Sequence, residues 1–344
     1  MSSNARADVG AVSVIVPAFN PRSDWLRRAL DSALGQTCPP GEVIVIDDGS
    51  TLDLSWITAE YGQRIKLIHQ ANGGPAVARN QGIHSARYPF VAFLDADDVW
   101  CPDKLALQLA LFALHPDAGL IYSDAQLISE LGEVLQGQRK RQCASGLILD
   151  ELFQVNCIPN SSVIISRECL NTIGGFSEDR GLIGVEDYEL WLRVAARFPI
   201  YAAPEKLIQY RVVMSGLSHQ NPIDYKARER AVVARAATQL GTEHPRLRLA
   251  LAARLCELYL QEVGLCRDAG LYPAAHAALA AGLGLASERA IDAPHPSELY
   301  VEEATKLGAR GCWRDARTVL VTCLRLDPLC ASAWRLLLRS SLRR

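Results

Sequence analysis

Residues 93–98 read FLDADD, and the reading of this stretch decides the fold. An apolar run, Tyr88 to Leu94, ends in three carboxylates within four positions: Asp95, Asp97 and Asp98. Carboxylates so close raise one another's pKa unless positive charge sits between them. The stretch is either a solvated turn or the cation-holding end of a buried strand.

The segments before it favour the second reading. VSVIVPAF (12–19), GEVIVIDDGS (41–50) and QRIKLIHQ (63–70) are short β-branched runs of the kind buried on both faces of a parallel sheet, and PFVAFLDADD (89–98) is a fourth. Between them, DWLRRALDSALGQ (24–36) has apolar residues at helical spacing, and GGPAVARNQGIHSA (73–86) is a glycine turn leading into a helix. This alternation predicts an α/β fold with a mainly parallel, Rossmann-like sheet. Downstream, PDKLALQLALFALHP (102–116) and YELWLRVAARFP (188–199) read as helices, and AGLIYSD (118–124) and LIQYRVV (207–213) as strands. The stretch from 125 to 180 is irregular.

Near residue 215 the character changes. From 222 to 344 the chain is rich in Ala, Leu and Arg and shows no strand pattern. Two segments repeat at an offset of 41: Ala275, Leu279, Leu283 and Leu285 match Ala316, Leu320, Leu324 and Leu326. Small residues with Leu along one face suit stacked helix pairs. The expected domains are thus 10–218, α/β, and 222–344, all-α.

The length of 344 residues agrees with two domains, and a net charge of −2 argues against a general electrostatic grip on nucleic acid. The ten cysteines stand singly with no CxxC pair, which suits buried thiols in a reducing compartment. The first ten residues have no signal-peptide core, and no run approaches the roughly 20 apolar residues of a membrane span. The expected location is cytoplasmic, with peripheral membrane contact left open.

Polar residues gather at the C-terminal ends of the predicted strands: Asn20, then Asp47 and Asp48, then Asp95, Asp97 and Asp98. That edge is where open α/β sheets bind ligands. Carboxylates are hard oxygen ligands suited to Mg2+ or Mn2+, and Mg2+ completes its shell with water and substrate phosphates. The ligand this chemistry implies is a nucleoside diphosphate. There is no phosphate-cradling GxxxxGK[ST] and no GxGxxG after the first strand, which argues against P-loop and dinucleotide enzymes.

The stretches SVIVPAFN, VIVIDDGST, NGGPAVARNQG, FLDADDVWCPDKL, NSSVIISRECLNTIGGFSED, VEDYELWLR and YR occur in the order found in family 2 glycosyltransferases, which residues 12–215 resemble. The resemblance implies the GT-A fold, a nucleotide-sugar donor (UDP by family habit), Mn2+ or Mg2+, and inversion at the anomeric carbon. It puts Pro17, Ala18 and Phe19 against the nucleobase and makes Asp48 the base-binding aspartate, with Asp47 supporting the strand end. Arg79 and Asn80 fall on the donor side. Asp95 and Asp97 form the DxD motif, Asp95 near the ribose and Asp97 the metal ligand, with Asp98 as support or helix cap. Asp187 matches the family's general base and Glu186 its acceptor-side partner. Arg211, of the YR pair, is left between a diphosphate and Glu186. His219 matches an extra metal ligand of some relatives, and Trp191 is read as core. The tail resembles tetratricopeptide repeats, except that its spacing exceeds their 34 residues.

The leading expectation is an inverting, metal-dependent glycosyltransferase acting on a glycan or glycoconjugate in polysaccharide biosynthesis. Two alternatives stand beside it. One is an adaptor whose transferase domain only binds and whose helical tail contacts a partner protein or a second copy. The other is a nucleotidyltransferase, which would bring a glycine-rich signature that VSVIVPAFN lacks. Retention of both Asp97 and Asp187 favours the enzyme.

Overall fold

A computed structural model describes residues 11–136, 144–214, 216 and 220–269, with scattered positions beyond. Eight strands form one mixed sheet in the order β3-β2-β1-β4-β7-β6-β8-β5. The first four are β1 (Val12–Ala18), β2 (Glu42–Asp47), β3 (Ile65–His69) and β4 (Phe90–Phe93), all parallel. Three helices cross over between them: α1 (Ser23–Leu34), α2 (Trp56–Tyr61) and α3 (Pro75–Ser85). Val14, Ile15, Val16, Ile44, Val45 and Ile46 are fully buried, as strands covered on both faces must be.

The second half departs from the parallel pattern. β7 (Ile164–Ser166) runs antiparallel to β4 and β6 (Leu120–Ile128), and β5 (Val99–Trp100) runs antiparallel to β8 (Ile200–Arg211) at the edge. β6 and β8 pair in parallel, with register shifts around Asp124. The helices here are α4 (Lys104–Leu114), α5 (Leu149–Gln154), α6 (Arg167–Ile173) and α7 (Glu186–Ala195).

Two details of β1 and β4 create the cleft. The pairing of β1 with β4 stops at Ile15–Phe93, while that with β2 continues to Ala18–Asp47. Pro17, which has no N–H to give, sits where one neighbour has already left. Beyond Phe93 the chain does not continue as strand. The Leu94 N–H donates to Ile15 O, the Asp98 N–H to Asp95 O, and the chain turns toward the sheet edge. The strand expected over 89–98 is therefore shorter, and all three aspartates lie in the turn at its C-terminal end, where the strand order reverses.

From 222 onward the described residues are mainly helical, with α8 (Pro222–Leu240) and α9 (Pro245–Asp268) joined by a turn at 241–244. Two compact units result, one of 1–221 with 235–247 and one of 222–234 with 248–344. In the second, Glu229 accepts from both Lys226 and Arg254, and Ala278, Ala304, Ala316, Leu320 and Ala333 are buried around Val263 and Cys266. Ala316 and Leu320 belong to the expected repeat. Their counterparts Ala275 and Leu279 lie outside the described residues, as do Leu283, Leu285, Leu324 and Leu326. Cys38, Cys169, Cys256 and Cys266 are buried free thiols, whereas Cys157 is disulfide-bonded. Among the described residues no helix is long and apolar enough to cross a membrane.

Candidate active site

β1 delivers Pro17, Ala18 and Phe19 to the cleft. Ala18 is buried, and its carbonyl accepts from the Asp48 N–H at 2.8 Å, while the Phe19 ring is 55% exposed and offers a free aromatic face. Asn20 takes a positive φ of 45°, and its Oδ1 accepts from Thr51 N at 2.8 Å, tying the ends of β1 and β2 together.

Asp47 closes β2. Its Oδ1 accepts from Ser50 N at 2.9 Å, its Oδ2 lies 2.8 Å from His69 Nδ1, and these contacts outweigh burial and hold its carboxyl below the usual range. Asp48 is fully engaged: Gln70 Nε2 and Gly73 N donate to Oδ1, and Asn72 Nδ2 and Gly74 N to Oδ2, at 2.7–3.2 Å. All four of its acceptor positions are filled. Gly74 needs its φ of +93° to present that N–H, and at Gly49 a Cβ would stand 2.7 Å from Asn72 N.

Arg79 lies on the buried face of α3. Nη1 donates to Glu186 Oε1 at 2.6 Å and Nη2 to Asp95 Oδ1 at 2.9 Å, joining α7 to the end of β4. Those two carboxylates outweigh burial and hold the guanidinium firmly charged. Asn80 secures the next wall: its Oδ1 accepts from Phe176 N at 2.8 Å and its Nδ2 donates to Phe176 O at 2.9 Å.

The three aspartates differ in their surroundings. Asp95 is held by Arg79, by Asn160 Nδ2 at 2.9 Å and, through its own N–H, by Ser161 Oγ at 3.0 Å. Asp98 is buried; its Oδ1 accepts from Arg211 N at 2.9 Å, and its Oδ2 makes no hydrogen bond of good geometry among the described residues. Burial, then Asp97 and Asp95, push its carboxyl well up. Asp98 is not a helix cap: α4 starts only at Lys104, with Asp103 at its N-cap position. The Asp97 carboxylate makes no hydrogen bond among the described residues, and burial and the neighbouring Asp95 push it up to about 6.

A free carboxylate beside a second one, raised by like charge, is what a divalent cation would relieve. Asp97, with the remaining oxygen of Asp95, fits such an ion. Among the described residues no three His, Cys, Asp or Glu side chains gather as a complete ligand set, so the rest of the shell would come from substrate or water. His219 lies outside the described residues.

Glu186 and Asp187 open α7. Glu186 is buried and committed to Arg79 and to the N–H of Gly184. Asp187 is half-buried; its Oδ1 accepts from Tyr188 N at 2.6 Å and its Oδ2 makes no hydrogen bond among the described residues. Neither is the N-cap, which is Val185. Burial first, and then Glu186, push Asp187 up to about 7. Trp191 is fully buried, as read.

Among the described residues the Arg211 side chain forms no ion pair with Glu186 or another carboxylate. Its Nε donates to Asp97 O at 2.8 Å and its Nη1 to Ser129 O and Glu130 O, so it clamps the DADD turn through the backbone. Sequence reasoning quoted NSS (160–162) without assigning it a role. The signal was a polar triplet ahead of an apolar strand, and all three residues are buried.

Residues 13–142 match the family model for glycosyl transferase family 2. An uncharacterized glycosyltransferase of Rickettsia felis is 32% identical over 219 residues, covering 62% of this chain and 35% of that protein. This chain spans about a third of the length of the first curated relatives it matches. TuaG of Bacillus subtilis, provisionally assigned as a teichuronic acid biosynthesis glycosyltransferase, is 31% identical over 212 residues, covering 60% of this chain and 81% of that one. Among solved structures, residues 1–349 of S. aureus TarS in complex with UDP-GlcNAc superpose with a TM-score of 0.60 at 20% identity, covering 90% of each chain. A mannosyltransferase of Pyrobaculum calidifontis, in complex with GDP-Man and Mn2+, gives 0.55 at 20% identity, covering 92% of this chain and 88% of that one. The architecture is thus GT-A, and by the family-model match and the TuaG identity the chain belongs to glycosyltransferase family 2.

Proposed function

We propose that this chain is an inverting glycosyltransferase that moves a sugar from a nucleoside-diphosphate donor, a UDP-sugar first, to a hydroxyl of a glycan or glycoconjugate. The observation that carries the reading is the contrast at the start of α7. Glu186 is spent on Arg79 and Gly184, while Asp187 has one oxygen with no hydrogen bond among the described residues and a carboxyl near 7. A base is most useful when its pKa lies near the working pH. Asp187 takes the proton of the acceptor hydroxyl as that oxygen bonds to the anomeric carbon, and the bond from that carbon to the diphosphate oxygen breaks. Attack opposite the leaving group inverts the centre.

Phe19 and Pro17 offer apolar surface to the base. Asp48 holds the 70–74 turn, and an N–H from the base would have to displace one of its four donors, of which the amide of the exposed Asn72 is the side chain nearest solvent. Asp95 would face the ribose. Asp97 and Asp95 would hold Mn2+ or Mg2+, which when bound neutralises the diphosphate as it leaves.

Calorimetric titration of UDP with and without Mn2+ tests the donor site. Binding should require the cation and be lost in Asp97→Ala. Asp187→Asn should bind UDP as the natural protein does and lose about 100-fold or more in turnover. Equal UDP binding by Asp97→Ala would sink the donor-site reading, and an active Asp187→Asn would sink the base.

A further inference from the structure

Lys104 is fully exposed to nothing but protein: its side chain is completely buried in the first turn of α4. Among the described residues it makes no ion pair. Its amine donates to Gln108 Oε1 at 2.7 Å and lies 4.1 Å from the centre of the Trp100 ring. Burial pushes that amine well below the usual lysine range. A buried amine with no counter-ion is costly in either protonation state, and an apolar residue of similar size would fill the space at less cost.

The partners of Lys104 suggest what the cost serves. Gln108, also fully buried, spends both amide hydrogens on backbone carbonyls: Ser162 O at 2.8 Å and Ile121 O at 3.2 Å. The Trp100 indole N–H donates to Ser161 O at 2.8 Å. Two consecutive carbonyls, 161 and 162, are therefore gripped by the two groups that Lys104 touches. The other side of the same turn grips Asp95, through Asn160 Nδ2 at 2.9 Å and Ser161 Oγ at 3.0 Å. With its hydrogens turned to the carbonyls, the Gln108 amide can face Lys104 only with its oxygen, and the N–H of the lysine amine fixes that orientation.

We infer that Lys104 and Gln108 are positioning residues: through the Asn160–Ser161–Ser162 turn they set the placement of Asp95, and so the affinity of the cleft for a cation-bound nucleoside diphosphate. The inference rests on the donor-site reading above. Neither residue touches the donor; their effect passes through one turn of buried backbone.

Lys104→Met removes the amine and keeps the length. It should be at least as stable as the natural protein in thermal unfolding, since no buried amine remains to be desolvated. It should bind UDP with Mn2+ about tenfold more weakly, the equivalent of one misplaced hydrogen bond. Trp100→Phe, which keeps the ring face but removes the N–H to Ser161, should weaken the same binding in the same direction. A role in packing alone would lower the melting temperature and leave the dissociation constant of the folded fraction unchanged; that result, or unchanged binding in both variants, overturns the inference. Should Lys104→Met fail to fold, Trp100→Phe decides by the same dissociation constant. Asp97→Ala, run alongside, separates the two readings. If it too binds normally, the donor site was misplaced and the inference falls with it; if it fails to bind while Lys104→Met and Trp100→Phe bind normally, the inference alone is lost.

Discussion

Arg79 stands between Asp95 and Glu186 with hardly any exposure to water, and each carboxylate depends on it for compensation. Removing one partner of a buried ion network leaves the others uncompensated. Arg79→Met should therefore cost about 3 kcal/mol or more in denaturant unfolding at pH 8. Asp187 has the opposite character. Its carboxyl titrates near 7 in the folded protein, against an ordinary 3.8. Between those values the folded state holds a proton that the unfolded chain has released, so the fold gives up stability as pH rises through that window. Asp187→Asn stays neutral throughout. It should raise the melting temperature at pH 8 and change it little at pH 4, while the natural enzyme's kcat/KM climbs with pH through an inflection near 7.

The elements that could be read from sequence are those whose pattern is local. β1 and β2 show as apolar runs because they are buried on both faces, β3 as a shorter one at the sheet edge, and α1, α3, α4 and α7 show their periodicity or their proline and glycine punctuation. β5 and β7, at two and three residues, are too short to carry a period, and α5 and α6 sit in the stretch that showed none. The same holds for side chains. Asp95, Asp97 and Asp187 stand out because they follow or begin a patterned element, whereas Lys104 and Gln108 lie in an ordinary helix, and their burial depends on β6 and a turn more than 50 residues away. Packing between elements is equally invisible from one segment. A Cβ at Gly82 of α3 would meet Ile15 Cγ2 of β1 at 2.3 Å. Gly82→Ala should destabilise by about 1–3 kcal/mol, and its combination with Ile15→Ala should cost less than the sum of the two single changes.

At the scale of the molecule, the change in composition near 215 does not coincide with where compact structure divides. Residues 235–247 belong with the first unit: His244 Nε2 lies 3.1 Å from Ala196 O, and Arg197 pairs with Glu243 at 2.8 Å. An Ala-rich helix reads alike on either side of such a division, which is why composition gives no sign of it. A chain ending at Leu247 should accordingly be more soluble and melt higher than one ending at Asn221, by thermal unfolding of the two fragments. The bridge made by Arg79 bears on descent as well as on folding. It joins position 79 to position 186, which is 107 residues further along the chain, and to position 95. A lineage that loses the guanidinium keeps two charges with nothing to answer them, and one that loses either acid first keeps an arginine with half its work gone. These three sites should therefore change together among relatives, which a comparison of positions 79, 95 and 186 would check.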